Sequence, residues 1–128
     1  MINSKNYKSG KWLLPEEKEA ASLYYEKAHF DIDILEYLDD PNEIAKREIP
    51  KMVRDHCYSR KEGFRNNVNP EILKHPCNLQ LLTCGENLNK WNKNVNDCSI
   101  TLKELYERIK AYKGNYPKHK LVLDLIYK

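Results

Sequence analysis

Two short β-type runs lie in the middle of a chain whose other apolar residues mostly recur at helical spacing. Some of the residues in 52–58 have side chains that favour β-strands, and residues 78–83 form a compact apolar run. A long stretch rich in Gly, Asn and Pro separates the two runs, and such residues favour turns. The polar residues 85–94 then have helical potential. The sequence therefore predicts the order strand, loop, strand, helix, within a fold of the α+β class.

The N-terminal part of the chain is predicted to be helical. Pro15, followed by two glutamates, suits a helix start, because proline fits the first turn and carboxylates favour the positive end of the helix dipole. A second helical stretch over residues 32–38 ends before Pro41, which biases the preceding residue away from helix. Residues 42–48 are expected to form a short third helix.

The C-terminal part contains a sequence pattern for a capped helix. Thr101 and Glu104 have the spacing of a capping box, and apolar residues recur at helical spacing over residues 102–112. Gly114 is expected to close this helix. Residues 121–126 suit a final short strand or helix equally well. The tyrosines at helical spacing are expected to pack in the core: Tyr24, Tyr25, Tyr106 and Tyr112.

Length and charge bound the class of protein. At 128 residues and 15.2 kDa, the chain suits one compact domain, which we divide into an acidic helical segment (1–50), a central core (51–95) and a C-terminal helix with its tail (96–128). Residues 1–48 hold seven basic and eleven acidic residues, whereas residues 49–128 hold fifteen and eight. The basic part is therefore where a polyanion can dock. No stretch approaches the roughly 18 apolar residues of a membrane span, and no secretory signal is visible, so we expect a cytoplasmic protein without a membrane partner.

The four cysteines contain no C-x-x-C pair, and without an export signal they are expected to be free thiols. An alternative is a zinc site that combines Cys77, Cys84 and Cys98 with a histidine, although this spacing lacks the tight two-ligand turn of most structural zinc sites. His75 is expected to be structural or exposed to solvent. No role is predicted for His29 or His119.

An adjacent Asp55-His56 pair lies on the first predicted strand. Neighbouring strand residues point to opposite faces, so both side chains reach one spot only where the strand ends or bends. On the following predicted helix, Asn87 and Lys90 are three residues apart and share a face. Together these residues predict an oxygen-rich metal site with a cation beside it.

Three blocks of this sequence resemble the signature blocks of the HNH endonucleases: Asp-His at 55–56, Asn-Leu-Gln-Leu-Leu-Thr at 78–83 and Glu-Asn-Leu-Asn-Lys at 86–90. The similarity covers residues 52–95 and is greatest to HNH nucleases carried by bacteriophages. The resemblance implies a ββα-metal core, also called a His-Me finger, with flanking N-terminal and C-terminal helices. It also implies a phage or mobile-element origin, and hence the cytoplasm of a host cell.

The resemblance implies roles for four residues. His56 corresponds to the general base that takes a proton from the attacking water. Asp55 and Asn87 correspond to ligands of one divalent ion, and their oxygens suit Mg²⁺ or Mn²⁺. Asn78 corresponds to the central asparagine, which ties the connection between the strands and so orients the catalytic histidine. The implied reaction is a one-metal hydrolysis of a phosphodiester bond by an endonuclease or nickase.

DNA is the expected partner of this site, with RNA left open. Basic side chains around the core are the candidates for contacts with backbone phosphates: Arg54, Arg60, Lys61, Arg65, Lys90 and Lys93. The alternative function is a non-catalytic HNH-derived module that binds nucleic acid or protein. In either case residues 1–48 are candidates for docking a protein partner, for forming a dimer, or for shielding the basic site within the same chain.

Overall fold

A computed structural model describes residues 15–87 and 98–127 of the chain. Within them, two four-residue strands pair antiparallel: β1, Val53–His56, and β2, Leu79–Leu82. The register sets Asp55 opposite Gln80, and His56 opposite Leu79. Both predicted strands are therefore confirmed, and β1 ends at His56.

Helices surround this small sheet, so the mixed α+β class is confirmed. The α-helices of the described residues are α1 (Pro15–Lys27), α2 (Pro41–Lys46), α3 (Arg60–Arg65), α4 (Pro70–Leu73), α5 (Leu102–Ala111) and α6 (His119–Ile126). Short 3₁₀-helices cover Ile34–Tyr37 and Pro76–Asn78. Residues 84–87 are helical, and the rest of the helix predicted over 85–94 lies outside the described residues.

The connection between the strands is where the sequence-based prediction is wrong. The sequence predicts a loop over residues 59–77, but this segment contains α3, α4 and a 3₁₀-helix, which extends to Asn78, the first residue of the second predicted strand. The side chains of Ser59, Asn69 and His75 each accept a backbone N–H at the start of one of these turns. The polar and proline residues that suggest a loop therefore act as caps and first-turn residues of short helices.

Most of the helix ends predicted in the N-terminal and C-terminal parts of the chain are confirmed. α1 begins at Pro15, and Thr101 and Glu104 form the complete capping box of α5. α5 ends at Ala111, three residues before the predicted end at Gly114. Residues 121–126, for which strand and helix were both open, belong to the helix α6. The second predicted helix is reduced to the single 3₁₀ turn Ile34–Tyr37.

Two large clusters of buried apolar side chains form the core, beside a small third one made of Ala21 and Phe64. The larger one joins the connection between the strands to α5 and α6, and its members are Ala28, Cys57, Tyr58, Val68, Ile72, Leu73, Ile100, Leu105, Ile109 and Val122. The second joins the N-terminal segment to β2, and its members are Phe30, Ile34, Leu38, Leu79, Leu81, Tyr112 and Tyr116. The described part of the acidic segment is thus integral to the core.

The outer edge of β2 is covered by side chains of α2. The backbone N–H of Leu81 donates to Glu43 Oε2 at 3.3 Å, and Lys46 Nζ donates to the carbonyl of Leu81 at 3.3 Å. Glu43 and Lys46 also form an ion pair at 3.3 Å. One helix therefore satisfies both backbone groups that Leu81 presents at this edge.

Along the described chain, no helix combines the length and apolarity needed to cross a membrane.

Candidate functional site

His56 is held tightly at the end of β1. Its Nε2 lies 2.8 Å from the carbonyl oxygen of Ala28, and its ring stacks on Phe30 with centroids 4.0 Å apart and an interplanar angle of 12°. Because a carbonyl only accepts, this hydrogen bond requires the proton on Nε2. In the neutral ring Nδ1 is then the nitrogen that can accept a proton.

Burial dominates the ionisation of His56, whose exposed fraction is 8%. Desolvation lowers the pKa of His56 to about 4, while the bond to Ala28 works in the opposite direction. Arg60 and His29 also lower the pKa of His56, and Asp55 raises it. The ring is therefore neutral, and able to accept a proton, at neutral pH.

The hydrogen-bond partner of Asp55 differs from that of His56. Its Oδ2 accepts from Gln80 Nε2 at 2.7 Å, and the same Gln80 nitrogen donates to Ser99 Oγ at 2.8 Å. This agrees with the rule that neighbouring strand residues face opposite sides. The sequence analysis missed Gln80 as the partner of Asp55, because the partner depends on the strand register.

Asn78 is fully buried between the strands, with no exposed surface. Its Oδ1 accepts from the backbone N–H of Tyr58 at 2.7 Å. Its Nδ2 donates to the carbonyls of Tyr58 and Leu73, at 3.0 and 3.1 Å. One side chain thus ties the segment that leaves His56 to the end of α4.

Asn87 lies in the helical turn that follows β2. Thr83 and Glu86 cap this turn reciprocally, at 2.8 and 3.1 Å, and Asn87 N–H donates to the carbonyl of Thr83 at 3.0 Å. The Asn87 Oδ1 atom is buried and lacks a hydrogen-bond partner among residues 15–87 and 98–127. Because an unsatisfied buried amide oxygen costs about 1–3 kcal/mol, this atom is suited to a ligand.

No cluster of three or more His, Cys, Asp or Glu side chains is arranged to hold a metal ion within the described ranges. The four cysteines are free thiols, as expected. The alternative zinc site is therefore not supported.

The candidate phosphate contacts differ in their surroundings. Arg54 donates to the carbonyls of Asp31 and Ile32, at 3.1 and 3.0 Å, and Arg65 pairs with Glu62 at 3.1 Å. These two guanidinium groups already have partners within the chain. Lys61 is half-buried, and Lys90 and Lys93 lie outside the described residues. Arg60 also has partners within the chain, because its guanidinium lies over the Tyr25 ring, 5.4 Å from the centroid, and donates to the Tyr25 carbonyl at 3.4 Å.

His75 is structural, as predicted, and His119 is its partner, for which no role was predicted. The backbone N–H of Cys77 donates to His75 Nδ1 at 3.0 Å, and His75 Nε2 lies 2.9 Å from His119 Nδ1. The rings of Tyr112 and Tyr116 pack edge-on against His75. No local sequence pattern connects two histidines that are 44 residues apart.

Comparisons of the chain with protein-family models, with curated proteins and with solved structures find no match in any of the three.

Proposed function

We propose that this protein is a metal-dependent nuclease of the HNH type that hydrolyses phosphodiester bonds in DNA, as an endonuclease or nickase of a phage or mobile element. The observation that carries the proposal is the buried side chain of Asn78, which binds the backbone on both sides of the connection between the strands. This is the role that the resemblance implies for the central asparagine. The order strand, connection, strand and helical turn supports a ββα-metal core.

The proposed base is His56. The Ala28 carbonyl fixes the proton on Nε2, and the Phe30 ring restricts rotation of the imidazole. Nδ1 would take the proton from a water molecule that attacks the phosphorus atom. Asn78 acts on geometry, since it fixes the segment that follows His56.

The proposed ligands of the divalent ion are Asp55 and Asn87. A carboxylate and an amide oxygen fit the hard-ligand preference of Mg²⁺ or Mn²⁺, and the buried Oδ1 of Asn87 supports this assignment. When bound, the ion would stabilise the leaving oxygen and the charge that develops on the phosphate. Gln80 would orient the Asp55 carboxylate through their 2.7 Å hydrogen bond.

The test of the catalytic proposal is cleavage of supercoiled plasmid with Mg²⁺ or Mn²⁺. Replacement of His56 with Gln retains an N–H donor for the Ala28 carbonyl and removes the proton acceptor. We expect the His56→Gln variant to lose at least about a hundredfold in rate, the usual contribution of a general base. A thermal melt of the variant serves as the folding control. A variant that melts normally and cuts as fast as the wild type contradicts the role of His56.

The metal assignment has a separate test, which does not depend on cleavage. We expect Asp55→Ala and Asn87→Ala each to weaken Mn²⁺ binding in isothermal titration calorimetry, because each removes an oxygen donor. Asp124→Ala removes an exposed carboxylate on α6 and is the matched control. Unchanged Mn²⁺ affinity in both site variants would remove these residues as ligands.

A second candidate function is a non-catalytic module that binds nucleic acid. The observation in its favour is the burial of His56 under Phe30, which limits access to the imidazole. Tight DNA binding without cleavage, in the presence of Mg²⁺ and of Mn²⁺, would select this function over the nuclease.

A further inference from the structure

A groove lies between α1 and the start of α3, beside the proposed nuclease site. Its volume is about 320 Å³, and five residues line it: Ser22, Tyr25, Glu26, His29 and Arg60. Four of them belong to the N-terminal segment, for which the resemblance to HNH nucleases implies nothing. The lining combines a hydroxyl, a phenol ring, an imidazole, a carboxylate and a guanidinium.

The guanidinium of Arg60 is fixed in this groove. It lies 5.4 Å from the centroid of the Tyr25 ring, and its Nη1 donates to the backbone carbonyl of Tyr25 at 3.4 Å. Ring and backbone together hold the planar group in place. A guanidinium plane that is fixed in this way is a stacking platform for a nucleobase.

One residue of the groove adjoins a hydrogen-bond partner of His56 along the chain. Ala28, whose carbonyl binds His56 Nε2, directly precedes His29 in the chain. A strand whose scissile phosphate lies at His56 would therefore pass the groove with a neighbouring nucleotide.

We propose that this groove binds an unpaired nucleotide of a DNA strand, next to the scissile phosphate. The base stacks on the face of the Arg60 guanidinium that is turned away from Tyr25, and His29 contacts the adjoining phosphate. The Glu26 carboxylate repels phosphate, so the base of the nucleotide, and not its phosphate, lies near Glu26. This inference rests on the proposed function, and it adds a preference for single-stranded DNA over duplex DNA.

The preference follows from the chemistry of stacking. A base offers its face to a side chain only when it is unstacked from its neighbours, which is the state found in single strands. Within a duplex both faces are covered by adjacent base pairs. Contacts to backbone phosphates alone would not distinguish the two forms in this way.

The test measures binding without cleavage. Fluorescence anisotropy with a labelled 12-nucleotide single strand, and with the same strand as a duplex, is recorded in EDTA. We compare the wild type with Arg60→Lys, which keeps the positive charge and removes the planar group. Lys103→Ala is the control for a charge change at an exposed residue of α5. We expect Arg60→Lys to weaken single-strand binding at least about fivefold, to leave duplex binding within about twofold, and Lys103→Ala to change neither.

The outcomes separate this inference from the proposed nuclease activity. Equal single-strand affinity of Arg60→Lys and the wild type would overturn the groove, even if the protein cleaves plasmid. Equal affinity of the wild type for single strand and duplex would overturn it as well. A loss of single-strand affinity in Arg60→Lys, without a loss of duplex affinity, would support the groove. This holds even if the His56→Gln variant cleaves plasmid as fast as the wild type. Tyr25→Leu keeps an apolar side chain on α1, and a matching single-strand loss in this variant would support the role of the fixed guanidinium.

Discussion

The hydrogen-bonded pair of the buried His75 and the half-buried His119 is the clearest example of ionisation that depends on the fold. The N–H of Cys77 points at His75 Nδ1, so the single proton of the neutral ring lies on Nε2 and is donated to His119 Nδ1. A second proton on either ring would place two donors face to face. Burial lowers the pKa of His75 to about 3, and His119 acts in the same direction. Burial also lowers the pKa of His119, against the influence of Asp39.

These two histidines predict a loss of stability in acid. The unfolded imidazole has a pKa of 6.5, against about 3 for His75 in the folded state, so the unfolded chain binds more protons between these values. The stabilising contribution is present above pH 6.5 and is lost as the pH falls towards 3. We expect His75 to account for about 2–3 kcal/mol of the unfolding free energy lost between pH 7 and pH 4.5, measured by urea denaturation.

The control for this pH dependence is His75→Gln, whose amide oxygen can still accept from Cys77. The buried His56 contributes a loss of the same sign to both proteins, so the difference between the curves isolates His75. We expect a shallower decline for the variant. Parallel curves for the two proteins would show that protonation of His75 is not coupled to unfolding.

Among the helices and strands, α5 has the clearest local sequence signal, which is the capping box at its start. Thr101 Oγ1 accepts from Glu104 N–H at 3.1 Å, and Thr101 N–H donates to Glu104 Oε1 at 3.2 Å. We expect Thr101→Ala to cost about 1 kcal/mol and to lower Tm by roughly 3–5 °C in calorimetry, because the backbone N–H of Glu104 loses its acceptor and the hydroxyl no longer donates to Glu104 Oε1. Thr101→Ser retains the hydroxyl and is expected to melt within about 1 °C of the wild type. Equal Tm values for Ala and Ser would mean that the capping box contributes nothing.

The elements also show how far local pattern predicts this fold. The apolar residues of β2 and the capping box of α5 are local signals, and both elements were predicted correctly. The turns between the strands were missed, because Ser59 and Asn69 favour a loop and a helix cap equally. The core contacts that select the cap, such as those of Ile72 and Leu73, are not visible in a short window.

At the scale of the whole molecule, the N-terminal segment is inseparable from the rest. Ala28, Phe30, Ile34 and Leu38 are buried against the sheet and the C-terminal helices. Burial of each of the larger side chains contributes about 2 kcal/mol, so their sum is comparable with the total stability of a small domain. The hypothesis that residues 1–48 form a removable shield over the site is therefore not favoured.

Deletion of residues 1–48 is expected to unfold the protein rather than to raise its activity. The measurement is a thermal melt followed by circular dichroism, in which the remaining chain should show no cooperative transition. Deletion of residues 1–14 retains every contact described above and is the matched control, for which we expect a cooperative melt. A cooperative melt of residues 49–128 at the wild-type temperature would show that the segment is dispensable.

The candidate site shows a similar division between what sequence can and cannot predict. The alternation of strand residues predicts that Asp55 and His56 face opposite sides, and their hydrogen-bond partners are different. The partners Gln80, Ala28 and Phe30 depend on the strand register and on the path of the chain, so sequence pattern does not predict them. The ligand role of Asn87 and the catalytic role of His56 stay predictions until metal binding and cleavage are measured.

The ion pair of Glu43 and Lys46 has a consequence for the behaviour of the protein in concentrated solution. A strand edge with open N–H and C=O groups recruits strands from neighbouring molecules and so seeds aggregates. At Leu81 both groups are already bound by side chains from a helix of the same chain. An incoming strand must first break these bonds and displace that helix, so this border of the sheet resists self-association without needing a third strand.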